Sequence, residues 1–372
     1  MAQRDATSRQ GALEMAGIAG LMRFLGIVPW LVLVVAILIQ MNDFGGIIEA
    51  QRNKVFDFYQ NAAPRPYTDT AVRFVDIDEE SLKRIGQWPW PRTTIAKLTR
   101  TLADRGAAVI TFDMSFPEPD RTSPDEVAKS LPRGPEWDAT RSQLTALPNN
   151  DAEFAKALSE TPSVLGFLMG APTGRVPVLK AGVAQVGDAD SKLSDSINRF
   201  PGATTSLEQL QQAAPGSGSF NTIPDTDGIV RRVPLFVGLK NGKFSQAYPG
   251  LALETLRVAM GKMTGTAPTI QTTMAGGVGE LSVGQSNRLV WVKVGPIKIP
   301  STVDGQMWVH FTRPEPSRRI PAWKVLNAPD TLPDLQGAAI FLATSAAGLF
   351  DIRATPMSAG AAGVELHIQA LE

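Results

Sequence analysis

The chain has 372 residues, no cysteine and only two histidines, and these shortages remove several kinds of chemistry at once. Disulfides and thiolate metal sites are excluded. With His310 expected inside a strand and His367 near the C-terminal end, zinc lacks its usual ligands. The 36 basic and 36 acidic residues cancel, so there is no basic excess to displace counterions from a nucleic acid. The phosphate-cradling pattern G-x-x-x-x-G-K-[ST] is missing, as are repeats and heptads. What the chain does have is 43% hydrophobic against 19% charged residues. That is enough for a packed core, in one large domain or two.

The longest uncharged run is F-L-G-I-V-P-W-L-V-L-V-V-A-I-L-I-Q-M-N, residues 24–42. It is close to one bilayer thickness of helix. A buried core helix would be shorter and amphipathic. A cleaved signal peptide would need small residues after the run, where I-Q-M-N-D-F stands instead. The run reads as a retained transmembrane helix. Arg4, Arg9 and Arg23 precede it, against Asp5 and Glu14, which places residues 1–23 in the cytoplasm by the positive-inside rule. The remainder would then lie in the periplasm of a bacterial cell, anchored in the inner membrane. Residues 43–61 read as a juxtamembrane stalk helix with one apolar face, packed on the domain or on a second copy of the chain. The folded domain spans 62–372.

The expected fold class is α/β, a mixed sheet with a βαβ core and antiparallel hairpins. Ala71–Ile77 reads as a strand. Asp78 opens a short helix as its N-cap, with Glu79 and Glu80 at the positive end and Gly86 as the stop. Thr94–Arg105 is amphipathic through Ile95, Leu98 and Leu102, and Ala107–Phe112 is a second strand parallel to the first. Residues 117–148 form a Pro- and Ser-rich excursion without assigned structure, followed by helix Asp151–Glu160 and buried strand Ser163–Met169. Residues 171–218 have no clear periodicity. Phe220–Leu239 reads as a hairpin turning at Asp225–Gly228, and Asn241-Gly242 marks another. A helix follows Pro249. Leu289–Ile299 and Gln306–Phe311 alternate as antiparallel strands about Asp304-Gly305. Ala338–Ala343 is a buried strand, and Gly363–Glu372 begins a helix.

Chemistry-bearing residues gather at 75–120. Asp76, Asp78 and Asp113 are expected at the C-terminal ends of neighbouring parallel strands, where α/β sheets bind ligands. Grouped carboxylates suit hard cations. Arg92, at the start of a helix, suits an anion, and Trp88 and Trp90 in W-P-W-P could form an aromatic platform. Together these six are the candidate ligand-binding residues. Each also has a structural reading: Asp78 as a cap, Asp113 tying down the 77–93 loop, Arg92 neutralising both, and W-P-W-P as a rigid helix entry. Asp225-Thr226-Asp227-Gly228 resembles the opening of a calcium loop, but Phe236 stands where the closing glutamate belongs. Ala343–Ala347 lacks both glycines of a nucleophile elbow. No catalytic residue and no cofactor are expected.

Taken as a set, V-D-I-D-E-E-S-L (75–82), G-Q-W-P-W-P-R (86–92) and F-D-M-S-F-P-E-P-D (112–120) resemble the signature of the second-type CHASE domain, the cyclase/histidine-kinase-associated sensory extracellular domain. The resemblance continues through P-D-T-D-G-I-V-R-R (224–232), Y-P-G-L-A-L-E (248–254), D-G-Q-M-W-V (304–309), Thr355-Pro356 and G-V-E-L-H (363–367), in family order. It implies an extracytoplasmic sensory module. The expected arrangement is a homodimer that answers to an unknown periplasmic ligand. Such a module is coupled to a cytoplasmic output domain, most often a class III adenylate/guanylate cyclase. It names no binding residues. Ile368 departs from the pattern, where an alanine is expected. Two other readings compete with the sensor: a metal-dependent periplasmic enzyme using Asp76, Asp78 and Asp113, and a ligand-free dimerisation or assembly domain.

Overall fold

The structure is a computed structural model that describes residues 26–35, 37, 46–69, 71–187, 192–241, 244–275, 288–346, 348 and 351–372. It separates into two units, Met1–Ala63 and Pro64–Glu372. In the first unit, residues 26–35 and 37 are helical and their apolar side chains are exposed. The rest of the expected membrane segment lies outside the described residues, among which no helix is long and apolar enough to cross a membrane. The expected stalk is a continuous helix, α1 (Ile47–Ala62).

The second unit is built on a parallel sheet. Its strands are β1 (Val72–Ile77), β2 (Val109–Phe112), β3 (Ser163–Gly170), β4 (Gly202–Thr204), β5 (Gly216–Ser219), β6 (Arg319–Pro321) and β7 (Ala339–Thr344). The order is β6-β1-β7-β2-β3, with β3 pairing both β5 in parallel and β4 antiparallel. The sequence reading makes β1 and β2 neighbours, and the structure separates them. The crossover between them skips a position, and β7, more than two hundred residues later, fills it: Phe74 registers with Phe341, and Phe341 with Thr111.

Period-two alternation decides which face each side chain takes. Val75, Ile77, Ile110, Phe112, Leu165, Ile340 and Leu342 point to one face, under α3 (Arg92–Asp104), α6 (Asn150–Glu160), α7 (Glu208–Ala213) and α9 (Ala322–Asn327). Val72, Phe74, Val109, Val164, Phe341 and Ala343 point to the other, under α8 (Leu251–Thr264) and α10 (Gly363–Leu371). Along α3, Ile95, Leu98 and Leu102 are fully buried, each contributing about 1.5–3 kcal/mol. The short α2 (Glu79–Ile85) begins as expected: Asp78 accepts from the Ser81 backbone N–H at 2.8 Å.

α8 joins the sheet to a second core. Leu251 and Val258 face the sheet, while Leu253, Leu256 and Met260 face antiparallel strands Ile270–Met274, Leu289–Val294 and Ile297–Pro300. β5 is Gly-Ser-Gly-Ser because α8 passes so close: a Cβ on Gly218 would stand 2.9 Å from the Leu251 Cα. Across this contact the buried Glu254 accepts from both Nε and an Nη of Arg257, at 2.8 and 2.7 Å, and from the Ser217 backbone N–H at 3.2 Å.

Four expectations change. The excursion carries two helices, α4 (Pro124–Ser130) and α5 (Pro135–Thr145). Phe220–Leu239 is not a hairpin. Arg232–Pro234 pairs with Gln306–Trp308 instead, and the Asp225–Gly228 turn is held by its own ions: Arg231 to Asp225 and Asp227, each at 2.7 Å, and Arg232 to Asp225. Leu289–Val294 therefore turns at Gly295 to pair with Ile297–Pro300, rather than with the strand at 306. His310 lies outside any strand and is exposed. Phe236–Asn241 and Phe244–Pro249 do pair antiparallel about the expected Asn-Gly position.

Candidate functional site

The same alternation sorts the six residues singled out from the sequence. Trp88, Trp90 and Arg92 belong to the α3 face. Trp90 is buried and donates from Nε1 to the Gly86 carbonyl at 2.7 Å, and Trp88 meets it edge-on at 5.7 Å. Both pack into the α3-side core, which gives the W-P-W-P run its structural role. Arg92 is buried as well. Its backbone N–H donates to Asp120 at 2.7 Å, its guanidinium pairs with Asp151 at 3.3 Å, and it lies 4.5 Å over the Phe116 ring. Burial pushes the Asp120 carboxyl up, but bonds from the Arg92 and Thr122 backbone and from Asn150 outweigh it and hold the group below its usual range. Asp78 is spent on its cap.

Asp76 and Asp113 take the α10 face. Burial raises the Asp76 carboxyl, against a 2.8 Å hydrogen bond from Ser345 and the Arg319 guanidinium at 3.9 Å. Arg319 in turn pairs with Glu365 of α10. Asp113 occupies a different place. It follows β2 and lines a crevice of about 450 Å³, whose walls include Met114, Leu168, Phe220, Asn221, Thr222, Thr344, Asp351, Arg353, Gly363 and Val364. Desolvation, followed by the Asp351 carboxylate, pushes Asp113 up to about 7, with Arg353 pulling the other way.

Topology explains why a crevice opens here. After β2 the chain packs its helices on the α3 face, and after β7 it delivers α10 to the opposite face. Adjacent strands whose continuations diverge leave a gap outside their C-terminal ends, the usual ligand position in open α/β sheets. The first turn of α10 closes one wall, and the Gly363 N–H donates to the Asp351 carbonyl at 2.8 Å. Asn221 fixes another wall: it exchanges hydrogen bonds with the Met169 backbone at 2.6 and 2.9 Å and accepts from Ser219 at 2.7 Å. His367 sits below, bonded to the Phe220 carbonyl at 3.3 Å, and burial pushes it down to about 4, so it is neutral.

Of the six sequence candidates, the crevice takes only Asp113. Its other polar residues, Asn221 to Arg353, come from segments 108–240 positions away, with no local motif to announce them. The one available signal was parity: Asp113 continues the alternation past Phe112 onto the α10 face. Among the described residues no group of three or more His, Asp and Glu side chains is placed to hold a metal.

No curated protein and no solved structure matches the chain significantly. The CHASE2 domain model matches residues 30–372, and the chain therefore belongs to this family of extracellular sensory domains.

Proposed function

We propose that this chain is the periplasmic input domain of a membrane signalling protein. A small ligand entering the crevice outside β2 and β7 would shift α10. The message would then pass through the inner membrane to a cytoplasmic output domain, a nucleotide cyclase, in a homodimer. The uncharged run 24–42 supplies the anchor, with residues 1–23 in the cytoplasm and α1 as the stalk.

The observation that carries this reading is the course of α10. It begins at the crevice wall with Gly363 and Val364 and ends about 13 Å away at Glu372. There a buried carboxylate accepts from Arg65 at 2.5 Å and from Arg318 at 2.7 Å. Arg65 lies at the start of the folded unit, so one ion cluster ties the domain's entry to the far end of the helix that borders the crevice. Gln369 of the same helix accepts from the Thr312 N–H at 2.7 Å, and Thr312 accepts from Arg318 at 2.9 Å. A ligand that moves the first turn of α10 has a stiff path to this cluster, and it can bias a two-state arrangement only by its differential affinity for the two states.

Two experiments test the reading. Alkaline phosphatase joined at Glu372 should be active in a bacterial host, while a fluorescent protein joined there and exported the same way should stay dark. The opposite pair of results places the domain in the cytoplasm and defeats the proposal. With the chain joined through a membrane segment to a reporter cyclase, substitutions in the crevice should alter cyclic-nucleotide output. Unchanged output from every crevice variant would remove the sensory role.

A further inference from the structure

The charge balance of the crevice points to the chemistry of its ligand. Its ionisable wall groups are Asp113, Asp351 and Arg353. Arg353 and Asp351 pair with each other at 2.9 Å, which leaves the Asp113 carboxylate in surplus. Among the described residues no group hydrogen-bonds that carboxyl, and its neighbours are the like charge of Asp351 and the already paired Arg353. Thr222 also lines the crevice, and its Oγ1 is buried with no hydrogen-bond partner among the described residues. The remaining wall is apolar, formed by Met114, Leu168, Phe220 and Val364.

We propose that the crevice binds a small organic cation, a primary ammonium carrying an apolar group, with the ammonium on Asp113 and the apolar group against Phe220 and Leu168. An ammonium brings three donors and no acceptor. One donor would satisfy the Asp113 carboxylate and another the Thr222 oxygen. The volume, about 450 Å³, falls in the usual range for small-molecule sites and greatly exceeds a bare metal ion. The first turn of α10 and the Arg353 Nε, buried with no hydrogen-bond partner among the described residues, would favour an anion, but an anion would meet the two carboxylates of Asp113 and Asp351. Carboxylates are therefore the competing class.

The inference rests on the sensory reading of this crevice, yet binding can be read on the chain alone. The whole 372-residue chain, purified in detergent, is titrated at about pH 8 with propylamine through hexylamine, with the carboxylic acids and alcohols of the same lengths, and with magnesium chloride. Thermal midpoints should rise with amine concentration, more steeply for longer amines, and not with acids or alcohols. Asp113→Asn should weaken the apparent amine affinity roughly tenfold to hundredfold, while Glu118→Gln, exposed and outside the crevice, should leave it unchanged. The proposal is overturned by acids that stabilise as well as amines, by an Asp113→Asn variant that keeps the amine response, by no midpoint shift with any amine, or by a magnesium shift that Asp113→Asn abolishes. A reporter output that answers only to another chemistry would remove the amine and leave the sensor. Amine binding without any change in output would do the reverse.

Discussion

Replacing Asp113 by asparagine should make the protein more stable, and the gain should depend on pH. The folded carboxyl is pushed up to about 7 by desolvation and by Asp351, against an ordinary value of 3.8. A group held this way binds its proton more tightly in the folded state than in the unfolded one. Its contribution is most favourable below about pH 4, is lost progressively as pH climbs toward about 7, and is level above that. The full difference corresponds to at most about 4 kcal/mol. Asp113 is only half-buried and touches the crevice, and screening by water there brings the expected cost to about 2–3 kcal/mol. Arg353 and Asp351 are the charged groups that face it. Asparagine keeps the shape of the neutral carboxyl and cannot ionise. Equilibrium urea unfolding of the parent chain and Asp113→Asn, at steps from about pH 4 to pH 8, should therefore show nearly equal stabilities at the acid end. A gap of about 2–3 kcal/mol in favour of asparagine should open by pH 8. A constant offset at every pH, or a variant less stable than the parent above pH 7, would refute the reasoning. Either result would mean that Asp113 has a partner that satisfies its charge.

Other substitutions separate structural from ligand roles. Arg92→Met leaves Asp151 buried without its guanidinium and should cost about 3–5 kcal/mol, read as a fall in thermal midpoint with no selective loss of ligand response. Asp78→Ala removes the cap of α2 and should cost about 1 kcal/mol, with Asp78→Ser recovering most of it in the same measurement. Glu372→Gln leaves Arg65 and Arg318 facing a neutral amide in a buried site and should cost about 3 kcal/mol. Faster amide exchange should then appear at Arg65, whose N–H is bonded to the Phe311 carbonyl.

The parallel core was legible because its strands are short apolar runs with explicit punctuation. Asp78 and Gly86 bracket α2, and Gly106 follows α3. The hairpin at Asn241 was legible for the same local reason. What failed was non-local. Arg232–Pro234 finds its partner at Gln306–Trp308, and no turn signal encodes a pairing over seventy residues. Residues 171–218 resisted assignment because their strands have two to four residues each, too few to show a period. The position of β7 between β1 and β2 was equally hidden, and with it the true neighbour of Asp113. The 75–120 stretch looked like one crevice because its polar residues are close in sequence. Alternation divides them, sending Asp76 and Asp113 to the α10 face and the Trp-Pro loop with Arg92 to the α3 face. Asp113 was found, but Thr222, Asp351, Arg353 and Gly363, which make its surroundings, come from three distant segments.

Backbone amide exchange along α10, with and without a saturating amine, tests the central claim most directly. A ligand held in the crevice should slow exchange in the first turn, Gly363–Leu366, and change it at the Arg65–Glu372 cluster. Exchange in the Leu289–Pro300 hairpin, on the far side of α8, should stay the same. Protection confined to other segments, or no change in α10 under conditions where the amine raises the thermal midpoint, would contradict the account.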